Sequence, residues 1–296
     1  MLLGCALFAV SCGRKPSQTA NPPSSTVRAE TNVQVFQARG TVVELQLAEN
    51  TVRIRHEEIP GYMKAMTMPF EVRDARELDR LEAGDPVSFR LVVARDDAWI
   101  DQVKKLNAPA NTNLPTSGPL RIAREVEELA VGDELPDYRF TDHLGQPVHL
   151  QQFRGGVLAI TFSFTRCPYP TYCPLMSKNF ETAQNLLLKH PGAPANWRLL
   201  TLSIDPEYDT PERLKSYAQT YNCDSNHWSF LTGTLVDVTA IAEQLGLMFW
   251  REPGGSINHN LRTAVFDARG RLRAVLKENK WTPEHLVEEI LKAAKP

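Results

Sequence analysis

The sequence predicts two folded domains of different class, a small all-β domain over residues 33–107 and an α/β domain over 125–296. Two observations carry this. Short β-branched runs broken by Gly, Pro, Asn and Asp fill the first region. In the second, continuous apolar runs alternate with segments of helical periodicity. At 296 residues the chain is long enough for each domain to bury its own core.

The N-terminal MLLGCALFAVSC is apolar through Val10 and then turns polar, which reads as the core of a secretory signal and is too short to span a membrane. AVSC resembles the cleavage box of bacterial lipoproteins. That assigns residues 1–12 to a leader and makes Cys12 the lipidated first residue, with Cys5 in LLGC a competing site if the start lies upstream. Residues 13–32 are a tether rich in Ser, Thr, Pro and Asn. The expected location is therefore extracytoplasmic, facing the periplasm or its equivalent on a lipid anchor. A net charge of −2 gives no electrostatic case for nucleic acid.

Five strands are predicted next, in VQVFQARGTVVEL, NTVRIRHEEI, MTMPFEV, DPVSFRLVV and WIDQVKKL. Residues 108–124, which take in most of NAPANTNLPTSGP, are a Pro- and Asn-rich linker. Beyond it GVLAITFSF and WRLLTLSID read as strands buried on both faces. TPERLKSYAQTY opens a helix with Thr210 as N-cap and Pro211 at N1. VDVTAIAEQLGL and TPEHLVEEILKAAK supply two more helices, with a hairpin in RTAVFDARGRLRAVL between them.

The segment TFSFTRCPYPTYCPLMSKNF places Cys167 after a buried strand and Cys173 before a helix whose core face is Met176, Phe180, Ala183 and Leu187. With Pro174 at N1, Cys173 falls at the N-cap, where free amides and the dipole favour a thiolate. Pro168 and Pro170 exclude a helix between the cysteines and impose an irregular loop. Such a loop can bring both sulfurs to one point, for a disulfide or for a shared metal. Outside the cytoplasm, a partner or a metal must keep them reduced.

FTRCPYPTYCP, LSIDPEYDTPERL, HWSFLTG and INHNLRTAVFDARGRL follow one another as in the Sco family, also called SenC. GDELPDYRFTDHLGQPVHLQQFRGG resembles the N-terminal edge of that family's thioredoxin-like fold. The resemblance covers residues 125–296 and implies a copper site of Cys167, Cys173 and His259, with Asp205 an acidic neighbour. Five residues separate the cysteines here, against three in the usual Sco loop. Two thiolates and an imidazole suit Cu(I) and also accept Cu(II). His259 follows Gly254 and Gly255, which suggests a mobile loop carrying the ring. Cys223 and His227, four residues apart, imitate a metal pair without other support.

Three of the six methionines, Met63, Met66 and Met68, lie in HEEIPGYMKAMTMPFEV. On a strand Met66 and Met68 share a face, and His56 ends the preceding strand. Thioethers prefer Cu(I), although clustered methionines more often fill cores. The segment resembles the CusF family, small OB-like β-barrels carrying Cu(I) or Ag(I). The resemblance implies His56, Met66 and Met68 as ligands, with Met63 standing where that family has a capping tryptophan.

The expected function is a copper chaperone with two sites, whose client is the oxidase subunit carrying the CuA centre of cytochrome c oxidase. Copper is expected to pass from the thioether site to the thiolate site across the linker. The alternative is an extracytoplasmic thiol–disulfide oxidoreductase using Cys167 and Cys173, kept reduced by a thioredoxin-type partner. A peroxidase of the same fold fits poorly, because Phe164 stands where a peroxiredoxin has threonine.

Overall fold

Strand β1 (Gln34–Gln46) is long enough to serve two neighbours. Its first half pairs with β4 (Pro86–Val93) and its second with β2 (Thr51–His56), with a bulge between Val42 and Glu44 that bends it from one partner to the other. Gly40 sits at the crossing, where a Cβ would lie 2.5 Å from Ile54 Cγ2 and 2.6 Å from the Arg55 carbonyl. Strands β3 (Met66–Glu71) and β5 (Ala98–Lys105) complete a sheet ordered β3-β2-β1-β4-β5. A parallel bridge from Val72 to Ile100 joins its two edges, so the sheet closes on itself. All five strands fall where their residue patterns predict. This is a computed structural model, and it describes residues 33–106, 126–251 and 255–295. The leader with Cys5 and Cys12, the tether, the linker and Gly254 lie outside the described residues.

The second domain is mixed α/β. In chain order it contains β6 (Arg139–Asp142), β7 (Pro147–His149), β8 (Val157–Ser163), α1 (Cys173–Lys189), β9 (Trp197–Ser203), α2 (Pro211–Thr220) and β10 (Trp228–Thr232). Then follow α3 (Leu235–Gln244), β11 (Phe249–Arg251), β12 (Ile257–His259), β13 (Arg262–Phe266), β14 (Leu272–Lys277) and α4 (Pro283–Ala293). The main sheet runs β14-β13-β8-β9-β10-β6-β7, parallel through β8, β9 and β10. Every residue of β8 is buried, because both sheet faces are covered. One core holds Ala159 and Leu199 against Phe180, Leu214 and Leu286 of α1, α2 and α4. The other holds Ile160 and Leu200 against Val238 and Ile241 of α3. Thr210 caps α2 as predicted, and Thr282 caps α4 in the same way, each accepting from the amide three residues on.

Two local expectations are corrected. Helix α1 starts one residue early: the Met176 amide donates to the Tyr172 carbonyl at 2.9 Å, so Tyr172 is the N-cap and Cys173 the first helical residue. The segment ending at His259 is a hairpin arm rather than a free loop, with Phe249, Trp250 and Arg251 paired to His259, Asn258 and Ile257.

The described parts of both domains belong to one compact unit. Tyr62 Oη donates to the Pro168 carbonyl at 2.9 Å, and Phe70 meets Tyr169 edge to face at 6.0 Å. Ion pairs from Lys178 to Asp96 and from Lys280 to Glu49 tie the same two faces together. Among the described residues no helix is long and apolar enough to cross a membrane.

Candidate metal centre

The turn from β8 into α1 sets the two cysteines. Cys167 closes a tight turn, its amide donating to the Phe164 carbonyl at 3.3 Å. It is half-buried, whereas Cys173 on the first turn of α1 is wholly buried. Neither is in a disulfide. Strand β12 brings His259 against them: its Nε2 lies 3.6 Å from Cys173 Sγ. Its Nδ1 donates to the Asn260 carbonyl at 2.7 Å, which leaves Nε2 as the lone-pair nitrogen facing the thiols. Phe164 and Tyr172 pack edge-on against the imidazole at 5.7 and 6.1 Å and fix its plane.

The thiols are electrostatically unequal. A hydrogen bond from Cys173 holds the Cys167 thiol well below its ordinary range against the cost of burial, and His259 adds to the effect. Burial pushes Cys173 well above that range, reinforced by the neighbouring Cys167. The pair is thus polarised, with the thiolate form favoured at Cys167 and the protonated form at Cys173. Among the described residues no three His, Cys, Asp or Glu side chains are already closed into a metal cage.

Asp205 is wholly buried at the end of β9 and holds both sides of the centre. Oδ2 accepts from Arg166 Nε at 2.6 Å and Oδ1 from Arg251 Nη2 at 2.5 Å. Arg166 precedes Cys167, and Arg251 lies on β11, the partner of the His259 strand. Residue patterns did not single out either arginine. They also passed over Asp209, which accepts from the Thr165 amide at 3.1 Å, its hydroxyl at 2.5 Å and Ser203 Oγ at 2.6 Å. Burial raises the Asp209 carboxyl above the usual carboxylate range. The cue available in the sequence was the acidic pair Asp205 and Asp209 spaced to face a Thr-Arg-Cys turn.

In the barrel, Met66 pairs directly with His56 and Met68 with Ile54, so the inward row of β2 faces the inward row of β3. His56 is wholly buried. Its Nδ1 donates to the Glu57 carbonyl at 2.6 Å, and Nε2 has no partner among the described residues. Burial lowers its pKa to about 4, which keeps the ring neutral at physiological pH. A buried imidazole nitrogen without a partner among the described residues, on the same face as two thioethers, has the donor chemistry that suits a soft monovalent ion. Met63 sits in the turn between β2 and β3, where it exchanges backbone hydrogen bonds with Ile59.

Cys223 and His227 do not form a pair of ligands. The Cys223 thiol donates to the Trp228 carbonyl at 3.1 Å, and burial pushes it up to about 12. The His227 ring stacks on Trp197 at 4.2 Å.

Residues 127–295 match the family described as SCO1/SenC, and residues 35–105 match the family described as copper binding periplasmic protein CusF. Copper is the metal of both. The SCO1 protein homolog of Bacillus subtilis is 33% identical over 100 residues, which cover 34% of this chain and 49% of that protein. The chain thus spans about half the length of that relative. A SCO1/SenC family lipoprotein from Bacillus anthracis shares the fold with a TM-score of 0.50 at 24% identity, over 55% of this chain and 95% of that one. The Bradyrhizobium japonicum ScoI structure with copper bound aligns over 56% of this chain and all of its own, with 22% identity and a TM-score of 0.46.

Proposed function

We propose, from the premise that this chain belongs to the SCO1/SenC family, that it is an extracytoplasmic copper chaperone with two copper sites. Cys167, Cys173 and His259 take one ion, as Cu(I) and in part as Cu(II). His56, Met66 and Met68 take a second as Cu(I), with Met63 beside them. The observation that carries this is the 3.6 Å approach of the free His259 nitrogen to Cys173, with Cys167 against both. Ligand softness and ring tautomer both suit copper. Asp205 acts as a positioning residue through its two arginines. The client in this reading is the cytochrome c oxidase subunit carrying CuA, the reductant is a thioredoxin-type protein, and Cys12 anchors the chain to the membrane by lipid. The domain plan is a leader (1–12), tether (13–32), CusF-like barrel (33–107), linker (108–124) and Sco-type domain (125–296).

The test is copper stoichiometry of the reduced chain. Two equivalents are expected, falling to one in Cys167→Ser, Cys173→Ser or His259→Ala, and to one in the paired Met66→Ile and Met68→Ile variant. Undiminished copper in the double cysteine variant would overturn the reading.

A second reading, thiol–disulfide exchange on the cysteines of a copper protein, is favoured by one observation. Cys167 is both the less buried of the two sulfurs and the one with thiolate character, as an attacking thiol requires. Turnover of a general disulfide substrate at a thioredoxin-like rate would promote it above the first.

A further inference from the structure

The barrel and the cysteine loop flank a partly open cavity of about 320 Å³. Met63, Met66 and Met68 line one wall, and Cys167 and His259 line the other. Cys173 is not part of the lining and is wholly buried behind it, with His259 Nε2 3.6 Å from its sulfur. We propose that this cavity is a hand-over chamber for Cu(I). In it Cys167 binds the ion while a methionine thioether still holds it, and His259 and Cys173 close on it afterwards. The proposal rests on the copper-carrier reading and adds to it a route and an order of ligands.

Three features support it. First, the walls are held in register by contacts outside the chamber's donor atoms, namely the Tyr62 to Pro168 hydrogen bond and the Phe70 to Tyr169 ring contact. An ion can pass without the domains separating. Second, the two thiols differ in access, and the accessible one faces the thioethers. The order follows from geometry: Cys167 is the entry ligand and Cys173 the last. Third, Tyr169 Oη and Asn258 Nδ2 are buried in residues lining the same cavity and have no partner among the described residues. Buried polar groups left without partners in the lining of a cavity that also carries soft ligands are what a site for a bound group shows, rather than a packed core.

The exchange balances without an electron. A Cu–S bond to methionine breaks as a Cu–S bond to Cys167 forms, any proton on Cys167 leaves to water, and copper stays Cu(I) throughout. Closure by Cys173 releases its thiol proton in the same way. Thioether, thiolate and imidazole are all soft enough for a three-coordinate Cu(I) midway.

The experiment uses the full chain labelled with selenomethionine, reduced and given one equivalent of Cu(I), read by X-ray absorption at the selenium and copper edges. His56→Ala disables the barrel's own site, and Cys173→Ser blocks closure. In this double variant copper is expected with both selenium and sulfur neighbours, and adding Cys167→Ser should weaken binding by at least about tenfold. Copper bound to the double variant with no selenium neighbour overturns the chamber. So does equal binding by the triple variant. The unmutated chain is the control for the underlying reading: if it binds no copper, that reading fails and not merely the route.

A second variant guards against misfolding. Met63→Leu leaves His56, Met66, Met68, Cys167, Cys173 and His259 in place. Limiting Cu(I) should then reach the thiolates more slowly, by at least about tenfold, as followed by thiolate-to-copper absorption. An unchanged rate in Met63→Leu, Met66→Leu and Met68→Leu singly would overturn the proposal.

Discussion

The buried carboxylate of Asp205 receives Arg166 at 2.6 Å, one residue before Cys167. Its other oxygen receives Arg251, across a strand pair from His259. One side chain therefore sets the separation between the cysteine loop and the histidine arm, and it does so through the two arginines.

Asp205→Ala should loosen both sides at once. The two arginines are partly exposed, at 41% and 32%, and can turn into solvent. The stability cost is therefore below that of a fully buried pair, about 2 kcal/mol by denaturant titration. Copper affinity at the Cys167, Cys173 and His259 site should fall by about tenfold or more. Affinity of the barrel site should not change, which separates positioning from general unfolding.

His56→Leu should uncouple metal binding from stability in the barrel. The imidazole buries an Nε2 without a partner among the described residues, a cost that a leucine does not carry. Loss of the Glu57 hydrogen bond offsets part of the gain, so the net change should stay within about 1.5 kcal/mol. Cu(I) binding to the barrel should be lost. A large drop in melting temperature would mean that the ring is there for packing.

Alkylation should discriminate the three described thiols. Cys167 is half-buried with thiolate character, Cys173 is buried and held as a thiol, and Cys223 is pushed up to about 12. Mass spectrometry after brief iodoacetamide treatment at neutral pH should find Cys167 modified about tenfold faster than either other residue. Equal labelling of Cys173 would contradict the assignment of the thiolate.

Asp209 predicts a direction of pH dependence. Its folded-state pKa is raised above the ordinary 3.8, so between that value and the raised one the folded protein holds more protons than the unfolded chain. Its contribution to stability therefore falls as pH rises through this window. Asp209→Asn should flatten that slope in urea titrations run across mildly acidic pH. A slope left unchanged would assign the dependence to other carboxyls.

The local rules of the chain were sufficient for much of the architecture. Turn residues and β-branched runs located the five barrel strands, and period-four burial located α1 with Met176, Phe180, Ala183 and Leu187 inward. The prolines at 168 and 170 were enough to deny a helix between the cysteines. Motif order also brought Cys167, Cys173 and His259 under consideration together, because residue identity and spacing survive in a linear text. What tertiary structure decided is of another kind. The β11 to β12 arm, the grip of Asp205 on two arginines, the strut at Asp209 and the chamber shared by the thioethers and Cys167 are contacts between segments far apart in sequence. Their energies depend on desolvation and on which faces meet after packing, and no periodicity of three or four residues encodes that. The linear text shows two sets of soft ligands, and only the packing of Tyr62 on Pro168 and Phe70 on Tyr169 turns those sets toward one another.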